Sequence, residues 1–217
     1  MSDPGGPLVY VMGPSGAGKD SVLNRARTLL ADNAPVVFAH RYITRAAEAG
    51  GENHIELSPA EFGLRRTHGL FAFHWRAHGN EYGIGREIHS WRKAGLTVIV
   101  SGSREHFQQL GGIDDNTHPV LIIAPAERLA ERLASRARED AGAAAERLLR
   151  SEAYDVTDRR LVTIVNDGAL DDAATRFVSL LATLSVLTRR PPPSLKRART
   201  VNGRPVSAWR KTQRSRT

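Results

Sequence analysis

Short, largely apolar runs recur along the chain at Leu8–Met12, Val36–Ala39, Leu96–Val100, Val120–Ala124 and Leu161–Val165. Runs of this length without polar alternation are the pattern of strands buried on both faces. Between them lie segments with helical spacing. Lys19–Leu30 places Val22, Leu23, Ala26, Leu29 and Leu30 on one side, 126–138 and 143–153 are helical in composition, and Leu170–Leu187 reads as a closing helix. Strands alternating with helices predict an α/β fold whose parallel sheet is covered on both faces. The stretch from about 40 to 94 breaks the alternation, reads as polar and irregular, and is expected to be an insert between the second and third strands. Within it, Ser58-Pro59-Ala60-Glu61 has the form of a capping box with proline at the first helical position. Phe71–Trp75 alternates as a strand does, which sets His74 and His78 too far apart for a metal pair. Trp75 and Phe71 are read as core.

The turn after the first predicted strand carries the clearest chemistry. Gly13-Pro14-Ser15-Gly16-Ala17-Gly18-Lys19-Asp20 fits G-x-x-x-x-G-K, followed by Ser21. Glycines let successive backbone N–H groups turn inward around phosphate oxygens, Lys19 reaches the β- and γ-phosphates, and the helix that follows points its positive end at the same anions. A strand before and a helix after supply the context this motif needs. Asp20 stands where Ser or Thr normally ligates Mg²⁺. The strand that should carry a second carboxylate ends instead in Ser101-Gly102-Ser103. Asp20 is therefore expected to supply the missing negative charge as a metal ligand, with a helix-capping Asp20 and a metal-bound Ser21 as the alternative.

Charge separates the chain into two parts. Of 31 Lys and Arg, ten lie in 189–217, where no acid occurs, so residues 1–188 carry 21 bases against all 23 acids. The formal net charge of +8 thus belongs to a tail that Pro191-Pro192-Pro193 opens. Such a segment buries too little to offset its ordering entropy, and is expected to be a disordered, solvated tail. An electrostatic tether to RNA, lipid or polyphosphate is the alternative; nucleic acid is a partner only through this segment. The chain has no Cys, which excludes thiol catalysis, disulfides and Cys-ligated metal centres. Neither a secretory signal nor a bilayer-length apolar run is present, so a cytoplasmic protein without membrane association is expected.

Taken together, the motifs resemble those of guanylate kinases. The phosphate loop is followed by Ile43-Thr44-Arg45, Glu61-Phe62, Tyr82-Gly83, an Arg-rich stretch over 128–147 and Asn166-Asp167. Gly18-Lys19-Asp20-Ser21, His40-Arg41-Tyr42-Ile43-Thr44-Arg45, Glu52-Asn53-His54-Ile55, Tyr82-Gly83-Ile84-Gly85 and Gly102-Ser103-Arg104 are closer still to ribose 1,5-bisphosphate phosphokinases within that family. The similarity runs in order from about 8 to 187. It implies a P-loop NTPase fold with a kinase domain over 1–188, ATP and Mg²⁺ as cofactors, and a phosphosugar acceptor converted to 5-phosphoribosyl 1-diphosphate. Gly13 to Ser21 would hold ATP, with Asn166 and Asp167 near its base, while Arg41, Arg45, Tyr82 and Arg104 would bind the acceptor. Arg132, Arg136 and Arg147 would close as a lid over the transferred phosphoryl group. Arg128, Arg132 and Arg136 recur at i, i+4 and i+8, a spacing whose repulsion a polyanion would relieve. Arg76 and Arg86 read equally well as surface charge. The guanine-binding features of guanylate kinases are missing: Ala46-Ala47-Glu48 follows Arg45, and His54 stands in the region of a base-binding Tyr. A guanylate kinase and a catalytically silent interaction module remain as rival expectations, and the sequence leaves the oligomeric state open.

Overall fold

The computed structural model describes residues 5–46, 54–111, 113–125 and 156–187. Five parallel strands form the main sheet: β1 (Leu8–Met12), β2 (Val36–Phe38), β7 (Thr97–Ser101), β8 (Thr117–Ile123) and β9 (Val162–Val165). Their spatial order is β2-β7-β1-β8-β9. β1 is central, and all five of its residues are fully buried. Successive side chains of a strand point to opposite faces, so this one run feeds two cores. Val9 and Val11 face a core built with α1 (Lys19–Leu29) and α5 (Leu170–Leu187), through Val22, Ala26, Phe177 and Leu181. Leu8, Tyr10 and Met12 face the other, against Phe73, Ile84, Ile88 and Phe107.

The described residues between 40 and 94 form regular elements, contrary to the irregular reading. They hold β3 (Arg41–Ile43), β4 (Ile55–Glu56), α2 (Pro59–Thr67), β5 (Phe71–Ala77), β6 (Asn80–Gly85) and α3 (Glu87–Lys93). The four strands make a second sheet in the order β4-β3-β6-β5, with β6 antiparallel to both its neighbours. β5 and β6 are joined by the two-residue turn His78-Gly79, with φ of 49° and 73°. Both central residues in the left-handed region is the hairpin turn that matches strand twist. His is an uncommon first residue for it, which is why composition did not disclose the hairpin. Ser58 caps α2 as expected, its hydroxyl accepting from the Glu61 amide at 3.1 Å, while the Glu61 carboxylate accepts from Arg65.

Phe73, Ile84 and Ile88 of the insert lie in the same core as β1, so the insert is packed onto the main sheet. Its outer layer has a small core of its own, Leu57, Phe62 and Phe71. Another missed element is α4 (Arg104–Gln109), too short for helical periodicity to register; Ser103 caps it by accepting from the His106 amide at 3.4 Å. At the opposite edge Arg92 is buried, donating from Nε to the Gly6 carbonyl at 2.8 Å and through both terminal nitrogens to Asp114 at 2.6 and 3.1 Å. Among the described residues no helix is long and apolar enough to cross a membrane. The predicted helices over 126–138 and 143–153, the lid arginines Arg128, Arg132, Arg136 and Arg147, and the basic tail lie outside the described residues.

Candidate active site

The phosphate loop leaves β1 at the C-terminal edge of the sheet and turns directly into α1. Gly13 is fitted against β8: a Cβ there would stand 2.2 Å from the Ile122 carbonyl oxygen. Gly18, at φ 79°, is the N-cap of α1, a left-handed position that a side chain strains. No side chain caps the helix, so its first-turn amides stay available to an anion. The loop is closed by the Ala17 amide donating to the Pro14 carbonyl at 3.2 Å, and by the Val22 amide donating to Gly18 at 2.9 Å. Ser15 is exposed at the crest, and Pro14 and Ala17 are buried beneath it.

Lys19 leans across the loop mouth to the neighbouring strand. Its Nζ donates to the Ser101 hydroxyl at 2.6 Å and to Asp20 Oδ1 at 3.0 Å. Asp20 Oδ1 also lies 3.8 Å from Arg41 Nη2. Two cations therefore flank one carboxylate at the edge where the loop, β7 and the insert meet. Ser101 sits at the strand end that lacks a carboxylate, and its hydroxyl steers the lysine. From the sequence, Ser101 stands out only as the place where an acid is missing. Its position next to the loop on a parallel strand was the signal, and the strand order makes it one.

Arg41 is set by an aromatic ladder that runs back into the core. Its guanidinium lies over the Tyr82 ring at 5.5 Å; Tyr82 stacks on Trp75 at 5.4 Å and 8°; Trp75 stacks on His106 at 5.1 Å. The Tyr10 hydroxyl is 3.0 Å from His106 Nδ1 and 3.3 Å from the Ser103 carbonyl oxygen, so a proton on Nδ1 lets the ladder end in a satisfied chain from imidazole to phenol to carbonyl. Burial, with His74 nearby, pushes His106 down to about 4, leaving a neutral ring, and burial pushes the Tyr10 hydroxyl above its usual range. With both faces occupied, Trp75 is a structural rung, in line with its reading as core. Tyr82 is also largely buried.

The remaining candidates separate. Arg45 is half-buried on the insert; its carbonyl accepts from Nε2 of the buried His54 at 3.0 Å, so His54 holds the backbone that carries Arg45. Arg104 opens α4, half-buried, just after β7. Arg76 and Arg66 both lie by Glu81, and Arg86 donates to the Gly69 carbonyl, contacts of a surface. Asn166, directly after β9, is 2% exposed and donates from Nδ2 to the Ala17 carbonyl at 2.8 Å. The amide expected near a nucleotide base thus also ties the phosphate loop to the sheet, while Asp167 beside it is exposed. Ser21 is exposed on the first turn of α1. Among the described residues no group of three or more His, Asp or Glu forms a metal cage; His74 lies in β5 and His78 in the hairpin turn that follows it.

No family model matches the chain. The chain is 49% identical over 183 residues to ribose 1,5-bisphosphate phosphokinase PhnN of Desulfomicrobium baculatum, covering 84% of this chain and 98% of that one. It is 46% identical to the protein of the same name from Dickeya zeae (81% and 93% covered) and 45% identical to that from Thiobacillus denitrificans (82% and 93%). Among solved structures, guanylate kinase from Anaplasma phagocytophilum superposes with a TM-score of 0.62 at 20% identity, covering 88% of this chain and 90% of that chain. That likeness assigns the P-loop kinase fold, while the sequence identities reach further: this chain belongs to the ribose 1,5-bisphosphate phosphokinase family.

Proposed function

We propose that the protein transfers the γ-phosphoryl group of ATP to the 1-phosphate of ribose 1,5-bisphosphate, forming ADP and 5-phosphoribosyl 1-diphosphate. The observation that carries this reading is the 49% identity along nearly the whole of a relative of that name. The site is compatible with it. An oxygen of the acceptor's 1-phosphate, already ionised, attacks the γ-phosphorus, and the bond from that phosphorus to the β,γ-bridging oxygen breaks to release ADP. No proton has to be abstracted, so positioning and charge neutralisation suffice. The phosphate-loop amides and Lys19 hold the donor phosphates, and Arg41 faces the acceptor's phosphate across Asp20. Arg45, Tyr82 and Arg104 complete the acceptor side, with Arg132, Arg136 and Arg147 closing over the transferred group.

The donor set suits a hard cation. The Asp20 carboxylate is 35% exposed, and Ser21, also exposed, follows it on the first turn of α1; one carboxylate plus substrate phosphates is a common Mg²⁺ environment. When bound there, Mg²⁺ supplies charge neutralisation to the β- and γ-phosphates.

The test is ADP release from Mg-ATP with ribose 1,5-bisphosphate and GMP offered separately. Turnover on the phosphosugar with 5-phosphoribosyl 1-diphosphate as product is expected; preference for GMP would return the chain to guanylate kinase chemistry. ATP binding without turnover on either acceptor would leave the acceptor wrong.

The brace from Asn166 to the phosphate loop gives a separate expectation. In Asn166→Ala the Ala17 carbonyl loses a buried donor, worth about 1–3 kcal/mol. Thermal unfolding should shift down accordingly, and the KM for ATP should rise about tenfold as the loop loosens, by the same free energy. A lowered melting temperature with an unchanged KM would confine Asn166 to stability.

A further inference from the structure

A cleft opens between α1 and the β2–β7 edge of the sheet, and it runs from the phosphate-loop mouth along the helix. Asp20, Arg41 and Ser101 line its near end; Asn24, Arg27 and Phe38 line its far end. Resting on the reading of the acceptor above, we propose that Arg27 is the subsite for the second phosphate of the bisphosphate acceptor, the one not undergoing reaction.

Four observations carry this. Asp20, Asn24 and Arg27 fall at i, i+4 and i+7, so they share one face of α1 and look into one cleft. Arg27 is held in place: its guanidinium lies over the Phe38 ring at 4.6 Å, and Nη1 donates to Asn24 Oδ1 at 3.2 Å. Among the described residues no carboxylate stands within ion-pair distance of it, whereas Arg25, Arg65, Arg66, Arg76, Arg92 and Arg160 each have one. Between Asp20 and Arg27 the helix rises about 10 Å, of the order of an extended pentose with a phosphate at each end. A last-turn arginine also suits the helix dipole, but that role needs neither the ring nor the asparagine. Guanidinium forks match phosphate oxygens bidentately, and Leu23, Phe38 and Ile99 give the sugar carbons an apolar floor. The near end then holds the reacting 1-phosphate and the far end the 5-phosphate, which is how a bisphosphate is told from a monophosphate.

The experiment compares two acceptors, ribose 1,5-bisphosphate and ribose 1-phosphate, in the full chain and in Arg27→Gln and Arg27→Lys. Arg27→Gln is expected to raise the KM for the bisphosphate 10- to 100-fold, without moving the KM for ATP. The ratio of kcat/KM between the two acceptors should fall by the same factor, because ribose 1-phosphate lacks the group that Arg27 holds. Arg27→Lys should recover part of the ratio, since charge remains while the fork is lost. An unchanged ratio in an enzyme that uses the bisphosphate overturns the subsite alone, as does an equal loss on both acceptors. A parent protein that turns over neither sugar overturns the acceptor assignment and the subsite with it.

Discussion

Lys19→Ala should lower kcat for ADP formation by about 10³-fold or more, with the fold intact. That factor corresponds to about 4 kcal/mol of transition-state stabilisation. It is the scale expected when a preorganised charge aimed at developing phosphoryl charge is removed. Lys19 is well suited to that work. Its side chain is only 10% exposed, and Ser101 at 2.6 Å and Asp20 at 3.0 Å hold the ammonium over the loop. Arg at this position keeps the charge but replaces a compact ammonium with a planar fork, so Lys19→Arg should not restore the rate. Single-turnover quench measurements at saturating ATP separate this loss from weaker binding. The Lys19 assignment fails if the alanine variant keeps its single-turnover rate and loses only ATP affinity.

Asp20→Ala should produce the second large effect, about 10²- to 10³-fold in kcat/KM at limiting Mg²⁺, again on the scale of one lost electrostatic partner. The carboxylate is the one acid at the loop mouth, among the described residues, that contacts both Lys19 and Arg41. Its removal takes away a hard oxygen ligand and the carboxylate that bridges Lys19 and Arg41. Asp20→Ser discriminates between these roles. If Asp20 holds the ion, serine should shift the Mg²⁺ concentration for half-maximal rate upward by tenfold or more, with much of the rate recovered at high Mg²⁺. If Asp20 only orders its two cationic neighbours, the Mg²⁺ titration curve keeps its midpoint and the rate stays low throughout. Titrating Mg²⁺ at fixed free ATP reads the difference directly.

How much of this was legible in advance differs from element to element. The central strands β1 and β7 announced themselves because a strand buried on both faces carries few polar positions to confuse the pattern, as in Leu8–Met12; the edge strands β2 and β9 are only partly buried, yet short apolar runs marked them too. The phosphate loop was legible because its chemistry depends on backbone conformation and consecutive residues, from Gly13 to Lys19. The insert was legible only in part: alternation over Phe71–Trp75 showed β5 and Ser58–Glu61 showed the start of α2, but β3 and β4, of three and two residues, are too short for any period to show. Its hairpin turned on a positive φ at His78 that composition does not reveal. The six-residue α4 gave too few turns for a helical period to show.

By itself, then, the sequence determined the α/β class, the phosphate loop with Lys19 and Asp20, the basic charge concentrated in 189–217, and enough family residues for the acceptor to be expected. All of these depend on neighbours along the chain or on composition. The tertiary structure alone decided that Ser101 meets Lys19, that Trp75 and His106 support Arg41 through Tyr82, that Asn166 braces Ala17, and that Arg27 shares a cleft with Asp20. Each of those pairings rests on strand order or on one helix lying against a particular sheet edge. A contact made across 82 residues, as between Lys19 and Ser101, leaves no trace in local periodicity. It exists only once burial of apolar faces has placed β7 beside β1.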